Sequence, residues 1–189
     1  MSTVFTSRPL EIDTERYFRM AEAGIFRENE RVELIEGEVL EMAPIGIRHS
    51  SAVAELFRLL VVGIPSERAT VWCQCTMVLS KVSAPQPDLL LLKPRADRYR
   101  EAHPRPEDLL LIIEVSESSL GYDSGRKSNL YARHGIAELW ILDLANRSLE
   151  LRRRPSASGF ESLQKLEPGT IAAPSALPDV LLDWSRIFD

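Results

Sequence analysis

The sequence has few of the residues from which zinc sites and disulfide frameworks are built. Its 189 residues include two cysteines and three histidines. A structural zinc site needs four ligands close together, and Cys73 and Cys75 have too few partners nearby. We therefore predict that both cysteines are small, buried core residues in a reducing compartment.

Long apolar runs are absent as well. No stretch of the sequence is apolar over the length that a membrane-spanning helix requires. The first residues, Met1 to Phe5, lack the basic start and the apolar stretch of a secretory signal. The sequence therefore predicts a cytoplasmic protein with no membrane partner.

Positive charge is not in excess either. Lysine and arginine number 23 against 28 aspartate and glutamate residues, which gives a net charge of −5. This balance argues against a protein that coats nucleic acid nonspecifically. It is compatible with an enzyme that binds phosphates locally, because a bound metal ion brings its own positive charge. Residues 93–105 include several basic side chains but also acidic ones, and we interpret this stretch as a solvated loop.

Periodicity and turn residues predict one α+β domain over residues 1–189. We expect a restriction-endonuclease-like mixed sheet flanked by helices, preceded by an N-terminal helix and a β-hairpin that turns at Glu36-Gly37. The predicted helices are 13–24, Ser50 or Ser51 to 62, 124–134 and 181–188. The predicted strands are the hairpin 32–42, then 70–80, 87–92, 109–116, 139–144 and 147–152, followed by a loop-rich segment 155–178.

Two of the predicted strands each carry one carboxylate, at opposite ends. Asp88 precedes four leucines, whereas Glu114 follows a run of five apolar residues. If these strands pair antiparallel, the register that places residue 90 opposite residue 112 also places Asp88 opposite Glu114 on one face. Burying two neighbouring carboxylates is costly unless a metal ion binds them or one of them is protonated. The pair therefore indicates a chemical site.

The helix predicted after Glu114 carries Lys127 near its first turn. Because that helix begins at the end of the strand where Glu114 lies, Lys127 can reach the carboxylates. A metal held by Asp88 and Glu114 beside a lysine is typical of a hydrolytic site, since both cations neutralise charge in the transition state. The alternative for Lys127 is a solvated lysine that pairs with Asp123. We expect Tyr131, on the same helix face, to pack in the core.

These residues resemble the PD-(D/E)xK nuclease superfamily. Pro87-Asp88 is similar to the PD element, and Glu114-Val115-Ser116 is similar to the (D/E)xK element. The order of the motifs resembles one branch in particular, the "Uma-two" family of restriction-endonuclease-like proteins. The matching motifs are Glu33–Glu38, Arg48-His49, Gln74, Pro87-Asp88, Ile113–Ser116, Tyr122–Lys127, Leu130–Ala132 and Glu138–Asp143.

The resemblance implies that Asp88 and Glu114 bind Mg²⁺ and that the protein hydrolyses phosphodiester bonds in nucleic acid, with DNA as the expected substrate. Ser116 stands where the superfamily pattern has a lysine, and in this branch the lysine has moved to the following helix, here as Lys127. Because cleavage of a duplex needs two cuts, we also expect a homodimer, with 147–154 or 155–178 as the contact.

Four further residues are expected to support the site: Glu33, His49, Gln74 and Ser116. Their ordinary alternatives are a solvated acidic residue for Glu33, a local hydrogen bond for His49 and a buried backbone partner for Gln74. Two alternatives to a nuclease also stay open for the whole protein. One is a binding module that keeps the fold without turnover, and the other is a buried carboxylate pair with a purely structural role.

Overall fold

The computed structural model describes residues 8–188, so the N-terminal residues used above to argue against secretion lie outside it. The helices are α1 (Thr14–Glu22), α2 (Ile47–Gly63), α3 (Leu120–Tyr122) and α4 (Ser128–Arg133). The strands are β1 (Val32–Ile35), β2 (Glu38–Glu41), β3 (Thr70–Cys73), β4 (Leu89–Leu92), β5 (Leu109–Ser116), β6 (Glu138–Asp143), β7 (Ser148–Ser156) and β8 (Gly159–Leu166). A π turn (Asp123–Lys127) joins α3 to α4, and short 3₁₀ turns cover Pro106–Asp108 and Trp184–Phe188.

The expected mixed α+β architecture is confirmed. Strands β3 to β8 form one sheet in chain order, antiparallel throughout except for the parallel pair β5 and β6. The parallel pair requires a crossover, which α3, the π turn and α4 provide. Strands β1 and β2 form a separate hairpin. No helix in residues 8–188 has the length and apolar character needed to cross a membrane.

The central sheet has a core on each face, because successive apolar residues of its strands point to opposite sides. On one face Leu89, Leu91 and Ile113 pack with α2 and with Trp184. On the other face Leu90 and Ile112 pack with α4. This alternation places the side chains of residues 88 and 114 on the α4 side of the sheet.

The β-hairpin has the predicted turn. Glu36 and Gly37 both take positive φ angles, 51° and 82°. Two consecutive residues in this conformation match the type I′ turns that two-residue hairpins prefer, and glycine adopts it without steric cost.

Several predicted elements differ from the structure, and the helix predicted for 181–188 is only the 3₁₀ turn Trp184–Phe188. α2 begins at Ile47 rather than after Ser50, since the amide of Ser50 already donates to the carbonyl of Gly46. The crossover helix begins at Leu120 rather than Ser124. Part of the segment predicted as a loop, 155–178, is β8, an edge strand whose largely polar side chains gave no apolar run.

The strand predicted for 70–80 is also shorter than expected. β3 ends at Cys73 because Gln74 has a φ of +48°, which turns the chain out of the sheet. Cys73 and Cys75 are therefore free, partly buried thiols rather than fully buried core residues. Burial raises the pKa of both thiols.

Glu138 is a buried carboxylate with a structural role. Its side chain accepts hydrogen bonds from Trp140 Nε1 at 2.8 Å, Arg153 Nε at 2.7 Å and the amide of Ser175 at 2.6 Å. The residue is 1% exposed. These bonds join β6 to β7 and to the C-terminal segment, and they compensate the loss of water around the charge.

We predict that Glu138→Ala lowers the free energy of unfolding by about 3 kcal/mol, because it leaves buried donors and part of an arginine charge without an acceptor. Urea denaturation measures this change. The matched control is Glu161→Ala on the exposed face of β8, for which we expect a change within about 0.5 kcal/mol. Equal effects of the two substitutions would contradict the assigned role of Glu138.

Candidate active site

Asp88 and Glu114 come together as the strand pattern predicted. β4 pairs antiparallel with β5, and Leu89 lies opposite Ile113. The same register, continued by one residue, places Asp88 opposite Glu114. The amide of Val115 donates to Asp88 Oδ2 at 2.9 Å, which fixes the carboxylate at this end of the sheet.

The surroundings of Asp88 favour its ionised form. His49 Nε2 lies 3.2 Å from Oδ2, and Gln74 Nε2 donates to Oδ1 at 3.3 Å. Burial by itself raises the pKa of Asp88, but the hydrogen bond and charge of His49, the Val115 amide and Lys127 together outweigh it and hold the pKa below its usual value. The Asp88 hydrogen bond in turn raises the pKa of His49, whose Nδ1 is buried with no hydrogen-bond partner in residues 8–188.

Glu114 has the opposite tendency. It is 2% exposed, and its Oε1 accepts a hydrogen bond from Tyr131 at 2.6 Å and lies 2.9 Å from Lys127 Nζ. Burial raises its pKa to about 8, with the carboxylates of Asp123 and Asp88 adding to the effect and Lys127 opposing it. Two neighbouring carboxyl groups therefore have pKa values pushed in opposite directions, as in many catalytic pairs.

Lys127 is buried in the site rather than exposed above it. The residue is 4% exposed, and its ammonium lies 2.9 Å from Glu114 and 3.4 Å from Glu33. Burial alone would lower its pKa, but the carboxylates of Glu114, Glu33 and Asp123 more than reverse this, so the pKa lies above its usual value. The alternative of a solvated lysine is wrong.

The π turn places Lys127 in this position. Asp123–Lys127 forms one wide turn between α3 and α4, and both of its end residues are buried. Such turns interrupt α-helices most often at functional sites. Here the turn points Asp123, Lys127 and then Tyr131 toward the same end of β5, as their contacts with Ser116 and Glu114 demonstrate.

Glu33 enters the site from a different part of the fold. It lies on β1 and is buried, so the alternative of a solvated hairpin residue is wrong. Its carboxylate accepts hydrogen bonds from the Tyr122 hydroxyl at 3.1 Å and from the amide of Gln86 at 3.2 Å. Because Lys127 lies between Glu33 and Glu114, the hairpin and the central sheet share one cation.

The hydroxyl of Ser116 binds a third carboxylate, that of Asp123. It donates to Asp123 Oδ2 at 2.7 Å, and Ser119 donates to the same oxygen. Burial raises the pKa of Asp123, while Lys127 and the two hydroxyls oppose this shift. Asp123, Tyr122 and Tyr131 are thus site residues that were not singled out as such from the sequence. The available signals were their spacing from Lys127 and their place within the motifs Tyr122–Lys127 and Leu130–Ala132.

Most of these residues, including Asp88, Glu114 and Lys127, line a cleft of about 350 Å³ between the hairpin, the start of α2 and the crossover. Six carboxylates line it, against three groups that can carry positive charge. The carboxylates are Glu33, Glu41, Asp88, Glu114, Glu117 and Asp123, and the other three groups are Arg31, His49 and Lys127. The cleft therefore favours binding of an additional cation.

The donors in the cleft fit magnesium in type and charge. No three His, Cys, Asp or Glu side chains within residues 8–188 form a ready-made chelating group. Magnesium is commonly held by only one or two carboxylates, with water and substrate phosphate completing the shell. The oxygens of Asp88 and Glu114 meet that requirement, and the excess of buried carboxylate supplies the charge.

Comparison with known proteins identifies the family and the fold. The sequence model of the Uma2 family, described as "Putative restriction endonuclease", matches residues 14–185. The chain belongs to this family. Among solved structures, it is similar to a "putative nuclease belonging to DUF820" from Anabaena variabilis, with 15% identity, a TM-score of 0.75, and coverage of 94% of this chain and 99% of that one. This likeness shows a shared fold. No curated protein matches the sequence.

We predict that Glu114→Gln gains stability relative to the native protein as pH rises from about 4.5 to about 8. The native carboxyl keeps its proton in the folded state to about pH 8 but loses it near 4.5 when unfolded, so folding is progressively weakened across this window. Glutamine does not titrate, so the stability of the variant does not decrease for this reason over the same pH range. Thermal unfolding in EDTA measures the difference, with the exposed Glu161→Gln as control. A difference that is constant with pH would contradict the prediction.

Proposed function

We propose that this protein is a magnesium-dependent nuclease that hydrolyses phosphodiester bonds, with DNA as its substrate. The observation that supports this most strongly is the buried group Asp88, Glu114 and Lys127 at the end of two paired strands. Membership in the Uma2 family supports the same reaction class. The residue roles, the metal and the substrate are our proposal.

Each of the three residues has a distinct role in this proposal. Asp88, kept ionised by His49, and Glu114 would hold the metal ion, which when bound supplies an acidic water molecule and positive charge next to the phosphate. Lys127 keeps Glu114 oriented and brings a fixed ammonium to the place where negative charge develops. His49 and Gln74 orient Asp88, and Tyr131 orients Glu114.

Lys127 takes the role that a lysine at position 116 has in the superfamily pattern. The Ser116 hydroxyl is committed to Asp123 and cannot neutralise charge on a phosphate. The Lys127 ammonium reaches Glu114 from the crossover instead. A lysine can be supplied from a different element because it acts as a flexible point charge.

The test compares Lys127→Met with the native protein on labelled single-stranded DNA, duplex DNA and RNA in Mg²⁺. We expect metal-dependent cleavage to fall at least about a hundredfold, as for loss of one preorganised charge. Lys127→Arg should recover little, because the planar fork does not fit a site built for an ammonium. Asp88→Asn should abolish cleavage as well.

Because Lys127 is buried among carboxylates, Lys127→Met should also lower the melting temperature. Rates are therefore compared at a temperature where circular dichroism shows every variant folded. Lys93→Met, an exposed lysine at the end of the sheet remote from the cleft, is the matched control and should cleave at the native rate. An unchanged rate in Lys127→Met would overturn its role.

The same assay distinguishes the alternatives. A native protein that binds oligonucleotides but cleaves none of them in Mg²⁺ or Mn²⁺ would indicate a binding module. If Glu114→Gln is stabilised and neither binding nor cleavage changes, the carboxylate pair has only a structural role.

We also propose that the active form is a homodimer, because one site makes one cut and a duplex has two strands. The β7–β8 hairpin and the segment after it are the proposed contact. Light scattering at micromolar concentration should give twice the mass of 21.3 kDa. A monomer under these conditions, together with cleavage of both duplex strands, would contradict this proposal.

A further inference from the structure

One cation in the cleft, Arg31, forms no ion pair with a carboxylate of residues 8–188. Arg31 lines the cleft directly before β1, and its carbonyl accepts a hydrogen bond from the amide of Met42, so the hairpin fixes its backbone. Within residues 8–188, no carboxylate oxygen lies within 4 Å of its side-chain nitrogens. This is notable because Glu41 lines the same cleft.

The other cations at this place are occupied. Lys127 is held between Glu114 and Glu33, and His49 lies 3.2 Å from Asp88. Arg48, on the first turn of α2 beside the cleft, lies 3.7 Å from Glu117. Among the cations described at the cleft, Arg31 therefore has side-chain N–H donors that remain available for a ligand.

The charge of Arg31 lies at the site, since Arg31 lines the same cleft as His49 and Asp88. Within residues 8–188, no ion pair neutralises it. A cleft lined by six carboxylates repels an anionic substrate, and an uncommitted arginine next to the carboxylates offsets that repulsion.

A phosphodiester is the ligand that these features fit. The guanidinium presents several donors in a planar fork that matches two phosphate oxygens. Uncharged side chains also line the cleft, at Leu40, Met42, Pro44 and Ile45, and they suit sugar and base surfaces rather than phosphate. A strand bound here would therefore place its phosphate backbone at Arg31.

We propose that Arg31 binds a backbone phosphate of the nucleic acid and so positions the strand over Asp88 and Glu114. This inference rests on the proposed nuclease function and names the substrate-binding residue of the same site. Arg31 makes no base contact in this proposal. Its contribution is the same for every sequence, because a phosphate contact carries no sequence information directly.

The experiment measures binding of a fluorescein-labelled oligonucleotide by anisotropy in Ca²⁺, as single-stranded DNA, duplex DNA and RNA of one sequence. Arg31→Gln should weaken binding about tenfold on every form that the native protein binds. The slope of log affinity against log salt should fall by about 1, as expected for loss of one phosphate contact. Arg31→Lys should recover part of both.

The matched control is Arg100→Gln, an exposed arginine in the loop between β4 and β5, at the end of the sheet remote from the cleft. It should bind as the native protein does. Arg31→Gln should also melt at the native temperature, because no ion pair is lost. Native affinity and an unchanged salt slope in Arg31→Gln would overturn the inference, as would weakening that depends on base sequence.

The two proposals fail in different ways. Oligonucleotide binding that depends on Arg31, with no cleavage in Mg²⁺ or Mn²⁺, would contradict the nuclease function and support the role of Arg31. Cleavage that depends on Asp88 with unaltered affinity and KM in Arg31→Gln would do the reverse. A native protein that binds no nucleic acid would overturn both.

Discussion

The buried ammonium of Lys127 is the interaction on which the rest of the site depends. It lies between Glu114 on the central sheet and Glu33 on the hairpin, and both carboxylates are almost fully buried. Without that cation, both carboxyl groups would bear a larger cost of desolvation, and the pKa of Glu114 would rise further. One side chain thus joins three parts of the fold and sets the charge balance of the cleft. For this reason its loss should affect both stability and chemistry.

Glu138 and the site carboxylates differ in a way that separates structure from function. Three donors surround Glu138 and leave it no excess charge to balance. In the cleft, by contrast, burial pushes the pKa of Glu114 up while the surroundings of Asp88 push its pKa down. A fold optimised only for stability would not collect several buried carboxylates around one lysine. The negative charge of the cleft carboxylates is less fully compensated than that of Glu138, and this difference indicates that the cleft binds a cation.

The pairing of Asp88 with Glu114 could be predicted from sequence because both lie at the ends of short apolar strands, where alternation fixes the facing side. The position of Glu33 could not be derived this way, since its distance from Lys127 depends on how the hairpin packs against the crossover. The burial of Lys127 was missed for a related reason. A regular helix starting near Ser124 was predicted, and the π turn, which has no strong sequence signal, changes which side chains point inward. Resemblance to a family supplied Glu33, and it strengthened the case for Lys127, which the predicted helix had already brought near the carboxylates.

In the proposal that Lys127 replaces a strand lysine, its position depends on specific contacts of the crossover. A lysine on β5 would be held in place by the sheet itself. The position of Lys127 depends instead on how firmly the π turn and α4 are held. Arg126 and Arg133 in these elements bind Glu38 and Glu36 of the hairpin, and Arg152 on β7 donates to the carbonyl of Ser124 and the hydroxyl of Ser128. These contacts hold the π turn from both sides. The hairpin therefore supplies Glu33 to the site and also fixes the helix that carries Lys127, so changes to the hairpin should act on the site through the lysine.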